Sequence, residues 1–372
     1  MGSRGDARAG VRGGARCANA TLRPYRCGGE PRYVLRGYGP HAATCGTCEK
    51  MSNAVLLLQF RRADSHTASR PMGADSETNL DASRVSADVE RAARIAARLE
   101  RAASSVFPRM PLPPTPKLAL ETVESLFADH GSDLARRRCR AEMFCAEREN
   151  DRVSDLVYGE FGFMALASVL TKHRDSMPRK GGVFLDLGSG IGRPLFYAAA
   201  LAPTTFRAVV GVEIQAGLHE LATEVKALYD AEVRPRLGGA DAPSVECVHG
   251  DFLADAAEDA ALAACAEKNL PPQKRDALAA AWSSADLVLV NSCCFGDELF
   301  ARLERKAAHA LKKGALVVTL RRSLADCENA RREDETDATE EKKNPSVWRL
   351  LESAERRHSW GACVAFVHEK VV

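Results

Sequence analysis

The chain has 372 residues, 45% of them hydrophobic and 27% charged, and a formal net charge of +2 at neutral pH. That length and apolar share suffice for one large domain with a full core plus additional segments. So small a net charge excludes a molecule-wide field for nucleic acid, so that any basic surface must be local. The apolar run Val55–Leu58 is far shorter than the ~20 residues a bilayer-crossing helix needs, and no later segment comes closer, so no membrane span is expected.

Residues 1–50 hold eight Arg and one Lys against three acidic residues, are rich in Gly and lack sustained periodicity. Residues 1–85 therefore read as a basic, flexible arm. Arg-rich, acid-poor starts also occur in organelle transit peptides, and Met51 is an alternative start. The twelve cysteines are scattered, and Cys247, Cys265, Cys293, Cys294 and Cys363 fall in segments that read as core, so reduced buried thiols are expected. Cys45 and Cys48 form a C-x-x-C with Cys17, Cys27 and His41 upstream. Those gaps lack the tight spacing of a structural zinc site, so loop cysteines and no metal are the reading.

Residues 86–150 read as a helical segment. Val89, Ala93, Ile95 and Leu99 give Ser86–Ser105 an amphipathic pattern. Pro108, Pro111, Pro113, Pro114 and Pro116 make 107–116 a linker. Helical pattern resumes from Leu118 to about Asn150, with Arg136, Arg137, Arg138 and Arg140 as a basic cluster that is either a solvated face or a contact for nucleosomal DNA.

Residues 151–372 change texture. Val183–Leu187, Ala208–Ile214, Val245–Val248, Ala285–Val290 and Ala315–Leu320 are apolar runs without polar alternation, which suits parallel strands covered on both faces. Helical patterns near 192–201, 215–230, 256–281 and 297–311 separate them, implying right-handed crossovers and a doubly wound sheet. Further strands are expected near Trp348–Glu352 and Gly361–His368, after a polar stretch at 325–344 that reads as a surface insertion.

The first of these strands runs into Asp186-Leu-Gly188-Ser189-Gly190-Ile-Gly192. A dinucleotide fingerprint would require a third glycine where Arg193 stands, so the pattern is G-x-G-x-G with an acid inside the strand. That acid suits the cationic amino group of a bound methionine moiety and would repel a pyrophosphate. Glu213, at the end of the second strand, is placed to accept ribose hydroxyls, and Asp251 with Phe252, after the third, offers an acceptor and an apolar edge to adenine. Acids at successive strand ends in register with the glycine turn point to S-adenosyl-L-methionine.

These residues resemble the non-SET histone lysine methyltransferases called disruptor of telomeric silencing. Val157-Tyr158-Gly159-Glu160 is similar to that family's V-Y-G-E loop, which folds over the cofactor; the likeness continues through Phe184–Gly192, Gly211–Ile214, Gly250-Asp251-Phe252-Leu253, Val290-Asn291, Phe295-Gly296 and Ser359-Trp360. Phe161 stands where the family has Thr, Ser292 where it has a second Asn, and Ala365 precedes Phe366 where it has an aromatic pair. The resemblance, over about residues 120–370, implies a class I, Rossmann-like methyltransferase with a seven-stranded, mostly parallel sheet and an N-terminal helical segment. The cofactor set it implies is Tyr158, Gly159, Glu160, Phe161, Asp186, Gly188, Ser189, Gly190, Gly192, Glu213, Asp251 and Phe252. Asn291 is expected at the chemistry, and Phe163, Trp360 and Phe366 are candidate walls of an acceptor channel or, alternatively, ordinary core aromatics. The implied function is methylation of a lysine in the core of histone H3 on nucleosomes, in the nucleus, with the basic arm and the Arg136–Arg140 cluster touching DNA. Competing readings are a methyltransferase for another protein or a small molecule and a non-catalytic cofactor-binding module; the Arg-rich N-terminus leaves cytoplasm or an organelle as alternative locations. Oligomeric state is not legible.

Overall fold

The computed structural model describes residues 21–27, 30–36, 75–104, 115–148, 156–254, 272–335 and 345–372. The chain divides into two compact units, Met1–Asn79 and Leu80–Val372. In the first, β1 (Thr21–Cys27) and β2 (Glu30–Arg36) pair antiparallel, Thr21 opposite Arg36 and Cys27 opposite Glu30. Part of the arm expected to be flexible therefore has regular structure; Tyr25, Tyr33, Val34 and Leu35 favour extended backbone. Cys17, His41, Cys45 and Cys48 lie outside the described residues, and among the described residues no cluster of His, Cys, Asp and Glu suits a metal.

Helices come next in the chain: α1 (Asp75–Ser104), which begins before Leu80, then α2 (Pro116–Leu126), α3 (Ser132–Arg148) and α4 (Phe163–Lys172). Helix α2 begins where Pro116 presets its first turn and the Thr115 side chain accepts from Leu118 N. Chain then alternates through β3 (Gly182–Leu187), α5 (Arg193–Leu201), β4 (Phe206–Glu213), α6 (Ala216–Leu228), β5 (Ser244–His249), α7 (Pro272–Ser284), β6 (Leu287–Val290), α8 (Asp297–Ala310) and β7 (Leu316–Leu320). Helix α9 (Leu324–Glu335) and the hairpin of β8 (Trp348–His358) and β9 (Gly361–Lys370) complete it.

The seven-stranded sheet runs β5-β4-β3-β6-β7-β9-β8. Strands β3 to β7 pair in parallel and β9 enters antiparallel beside β7. This is a doubly wound, Rossmann-like arrangement. Side chains alternate across it: Phe184, Val209, Val245, Leu289 and Val318 face a core shared with Leu126, Leu166, Leu195, Phe196 and Val225, and Leu185, Val210, Val288 and Val317 face one shared with Leu278, Trp282, Phe300 and Leu303. Coverage of both faces explains why these strands read as continuous apolar runs. The chain leaves β3 toward β4 and returns to the other side of β3 at β6, so the crevice for a ligand opens at the carboxyl ends of β3 and β6.

Two expectations need correction. Much of the polar stretch at 325–344 is the helix α9, tied down by Glu328, whose fully buried carboxylate accepts from Val347 N, Trp348 N and the Ser346 hydroxyl. One buried acid on an otherwise polar helix leaves no apolar periodicity to read. Cys294 is exposed, not part of the core, whereas Cys139 is buried; both are free thiols, as are Cys247, Cys293, Cys327 and Cys363. Cys265 and most of the helix expected over 256–281 lie outside the described residues, α7 covering its end.

Candidate active site

Register sets the site. Asp186 on β3 pairs with Gly211 on β4 and Leu289 on β6, and Glu213, at the end of β4, pairs with His249 on β5. Asp186 and Glu213 thereby stand toward the carboxyl end of the sheet, while Asp251 and Phe252 follow β5 and Asn291 follows β6. A cavity at this end of the sheet is lined by Tyr158, Gly159, Glu160, Phe161, Asp186, Gly188, Ser189 and Asn291, together with Ile191, Arg193 and Pro194.

The floor is acidic and buried. Asp186 Oδ2 is sealed from solvent without a hydrogen-bond partner; burial, then the nearby Glu213, pushes its carboxyl well above the usual carboxylate range. Glu213 accepts from Gly190 N at 2.7 Å and from Gln215 N at 2.8 Å. Burial pushes its carboxyl up to about 7, against the lowering effect of those backbone donors. Gly190 has φ of +57° and the Tyr158 ring packs over it, 2.8 Å from where a Cβ would stand, so both conformation and space require glycine. Asp251 is held in a turn by Leu253 N at 2.8 Å, and Phe252 stacks on Phe295 with centroids 6.0 Å apart. Glu213, Asp251, Phe252, Gly190 and Gly192 do not line the cavity itself.

The roof is the loop Val157–Gly162, which is pinned from two directions. Asn291 Nδ2 donates to Gly159 O at 2.7 Å. The turn between β8 and β9 supplies the rest: Glu160 N donates to Ser359 Oγ at 3.0 Å, Ser359 N to Glu160 O at 3.3 Å, and Gly162 N to His358 Nδ1 at 3.3 Å. Burial holds the His358 imidazole down at about 4, so it is neutral and its Nδ1 accepts. Phe161 and Trp360 flank the His358 ring, with centroids at 4.8 and 5.1 Å, and Trp360 also lies against Gly159. Trp360, 39% exposed, thus closes the loop from outside.

Phe163 and Phe366 stand elsewhere. Phe163 is buried edge-on against Tyr197 at 5.1 Å, and Phe366 stacks on His368 at 6.3 Å; neither lines the cavity. Phe366 alternates with Ala365 and Val367, which enter the core shared with α4 and α5. Ser292 is fully buried, its hydroxyl donating to Leu320 O and accepting from Leu320 N, and Ala365 is likewise buried, so both departures from the family pattern sit in packing. Reading residue by residue missed Ser132, Glu124 and His358: Ser132 Oγ donates to Glu160 Oε2 at 3.1 Å, and nothing in a polar helical residue signals a partner so distant in sequence.

Residues 147–267 match the family model described as histone methylation protein DOT1. The chain resembles the DOT1 family. Over 176 residues it is 31% identical to the histone-lysine N-methyltransferase, H3 lysine-79 specific, of Gibberella zeae, covering 47% of this chain and 30% of that relative's length. Among solved structures it is similar to magnesium protoporphyrin IX methyltransferase of Synechocystis PCC 6803 with bound S-adenosylmethionine (11% identity, TM-score 0.35, 68% of this chain and 97% of the other). It is also similar to Aeropyrum pernix fibrillarin with the same cofactor (14% identity, TM-score 0.33, 55% and 73%).

The residues present fit S-adenosyl-L-methionine. The buried Asp186 carboxyl, whose Oδ2 has no hydrogen-bond partner, suits a cationic amino group, and the Glu213 carboxylate retains lone pairs that can accept from ribose hydroxyls.

Proposed function

We propose that the protein is an S-adenosylmethionine-dependent lysine N-methyltransferase that modifies a lysine in the globular core of histone H3 on nucleosomes, and so works in the nucleus as a chromatin regulator. The observation that carries this reading is the double pinning of the Tyr158–Glu160 loop, by Asn291 below and by Ser359 and Trp360 above. It joins three segments that resemble the family, Val157–Glu160, Asn291 and Ser359-Trp360, into one roof over the cavity.

When bound, the cofactor supplies a methyl group on a sulfonium. An in-line displacement then needs alignment and exclusion of water more than an acid or base. Tyr158 and Phe161 supply apolar walls, and Asn291 brings an uncharged amide to the mouth of the cavity, where it orients without adding charge. A lysine acceptor must first lose its proton. Burial against Trp360 and the cofactor's positive charge both favour the neutral amine.

Arg137 and Arg140 are exposed on α3, while Arg136 pairs with Asp133 and Arg138 with Asp88, each at 3.1 Å. DNA docking therefore rests on Arg137, Arg140 and the arm, and its strength should fall steeply with salt through counterion release. The deciding experiment offers radiolabelled cofactor with nucleosomes, free histones and a metabolite extract in parallel. Label on H3 in nucleosomes supports the proposal; label only in the small-molecule fraction replaces it.

A further inference from the structure

At the cavity wall a cation occupies an unexpected place. Arg193 is the first residue of α5, where the helix already presents its positive end, and it is only 8% exposed. A guanidinium there is opposed by the helix dipole and by desolvation. Two acids hold it. Its Nε donates to Glu160 Oε1 at 2.9 Å and its Nη1 to both oxygens of Glu124, on α2, at 2.8 Å. Its plane also lies over the Phe127 ring, 4.2 Å from the centroid. Tyr158 and Ser132 hydroxyls donate to the same Glu160 carboxylate, and Tyr197 to Glu124.

The Arg193–Glu160 pair is buried on both sides, whereas the Glu124 side chain is half-exposed, and buried pairs add little stability compared with apolar packing because desolvation cancels much of their attraction. What they give is geometry, since the planar fork fixes the relative position of two carboxylates as a single ammonium does not. Here one carboxylate belongs to the cofactor roof and the other to a helix that precedes the sheet by more than fifty residues in sequence.

We propose that Arg193 is a positioning residue for the cofactor loop, its fork tying Glu160 to Glu124 so that α2 sets the height of the Tyr158–Glu160 roof over the cavity. The N-terminal helices are thereby part of the donor site, although Glu124 does not line it. This rests on the proposed use of S-adenosylmethionine but not on the identity of the acceptor.

The test measures binding of S-adenosylmethionine to the full chain by calorimetry, without any acceptor, for wild type, Arg193→Gln, Arg193→Lys, Glu124→Gln and the Arg193→Gln/Glu124→Gln pair. Arg193→Gln is expected to weaken binding ten- to hundredfold, and Glu124→Gln three- to tenfold. The pair should be no worse than Arg193→Gln alone, because the two act through one linkage. Arg193→Lys, which keeps the charge and loses the fork, should fall between wild type and Arg193→Gln. In turnover the loss should fall mainly on KM for the cofactor. If the variants melt earlier yet bind as wild type does, Arg193 is structural only and the proposal is overturned; additive losses in the pair also overturn it. Should Arg193→Gln not fold, the Glu124→Gln and Ser132→Ala variants carry the same test. A wild type that binds no S-adenosylmethionine would instead overturn the proposed function.

Discussion

Asn291 reaches back across 132 residues to the roof of the cavity: its Nδ2 donates to the carbonyl oxygen of Gly159 at 2.7 Å. The residue that sequence reading assigns to the acceptor also holds the donor's cover in place. Asn291→Ala should therefore raise KM for the cofactor as well as lower turnover, with a loss in kcat/KM of about 1–2 kcal/mol, roughly tenfold. Asn291→Asp, nearly the same shape, points an acceptor at an acceptor and should lose at least as much. Steady-state kinetics with varied cofactor separates the effects; cofactor KM unchanged in both variants would detach Asn291 from the loop.

Gly159 and Trp360 form a second such relationship. A Cβ on Gly159 would stand 2.6 Å from Trp360 Cδ1, inside contact distance. Gly159→Ala should displace the indole or the loop and weaken cofactor binding, whereas Trp360→Ala should open the roof more mildly. Combined, the two should be less harmful than the sum of their separate effects, because the clash disappears with the ring. Fully additive losses in a double-variant cycle would show that the indole does not rest on the glycine.

The Glu213 carboxyl, raised from 4.5 to about 7, gives two pH effects of stated sign. The folded protein binds this proton more tightly than the unfolded chain, so the group's contribution makes stability decline as pH rises from 4.5 to about 7 and level off above. Cofactor affinity should run the other way, increasing as pH passes about 7, because the ionised carboxylate is the better acceptor for ribose hydroxyls. Glu213→Gln should weaken binding about tenfold or more and remove that dependence. A wild-type affinity that is flat between about pH 6 and pH 8 would contradict the assignment.

Glu328 affects stability alone. Its buried carboxylate accepts from Val347 N, Trp348 N and Ser346 Oγ, and so anchors α9 to the start of β8, far from the cavity lining. Glu328→Ala strands those donors and should cost about 2–4 kcal/mol in denaturant unfolding. Cofactor affinity of the folded variant should match wild type; a shift in affinity would mean that α9 communicates with the site.

Much of this fold was legible in one dimension. Parallel strands buried on both faces must be apolar throughout, so Val183–Leu187 and its successors stand out, and a glycine turn that meets a ligand shows itself because side chains are excluded there. Asp186, Glu213 and Asp251 stand out in the sequence for the same local reason, each lying at or just past the carboxyl end of a strand. What tertiary structure decided was every pairing between distant segments. Whether Phe163 and Phe366 face a channel or a core depends on which face of their elements they occupy, and an aromatic residue serves either. Helix α9 depends on one buried acid finding amides beyond the next turn. The roof depends on Asn291 and Ser359 donating to and accepting from backbone groups whose partners no spacing rule specifies, and the Glu124–Arg193–Glu160 linkage on charges that lie far apart in sequence. Hydrophobic periodicity is imposed by local geometry and survives in the sequence; a hydrogen bond between remote residues is imposed only by the packed sheet that brings them together.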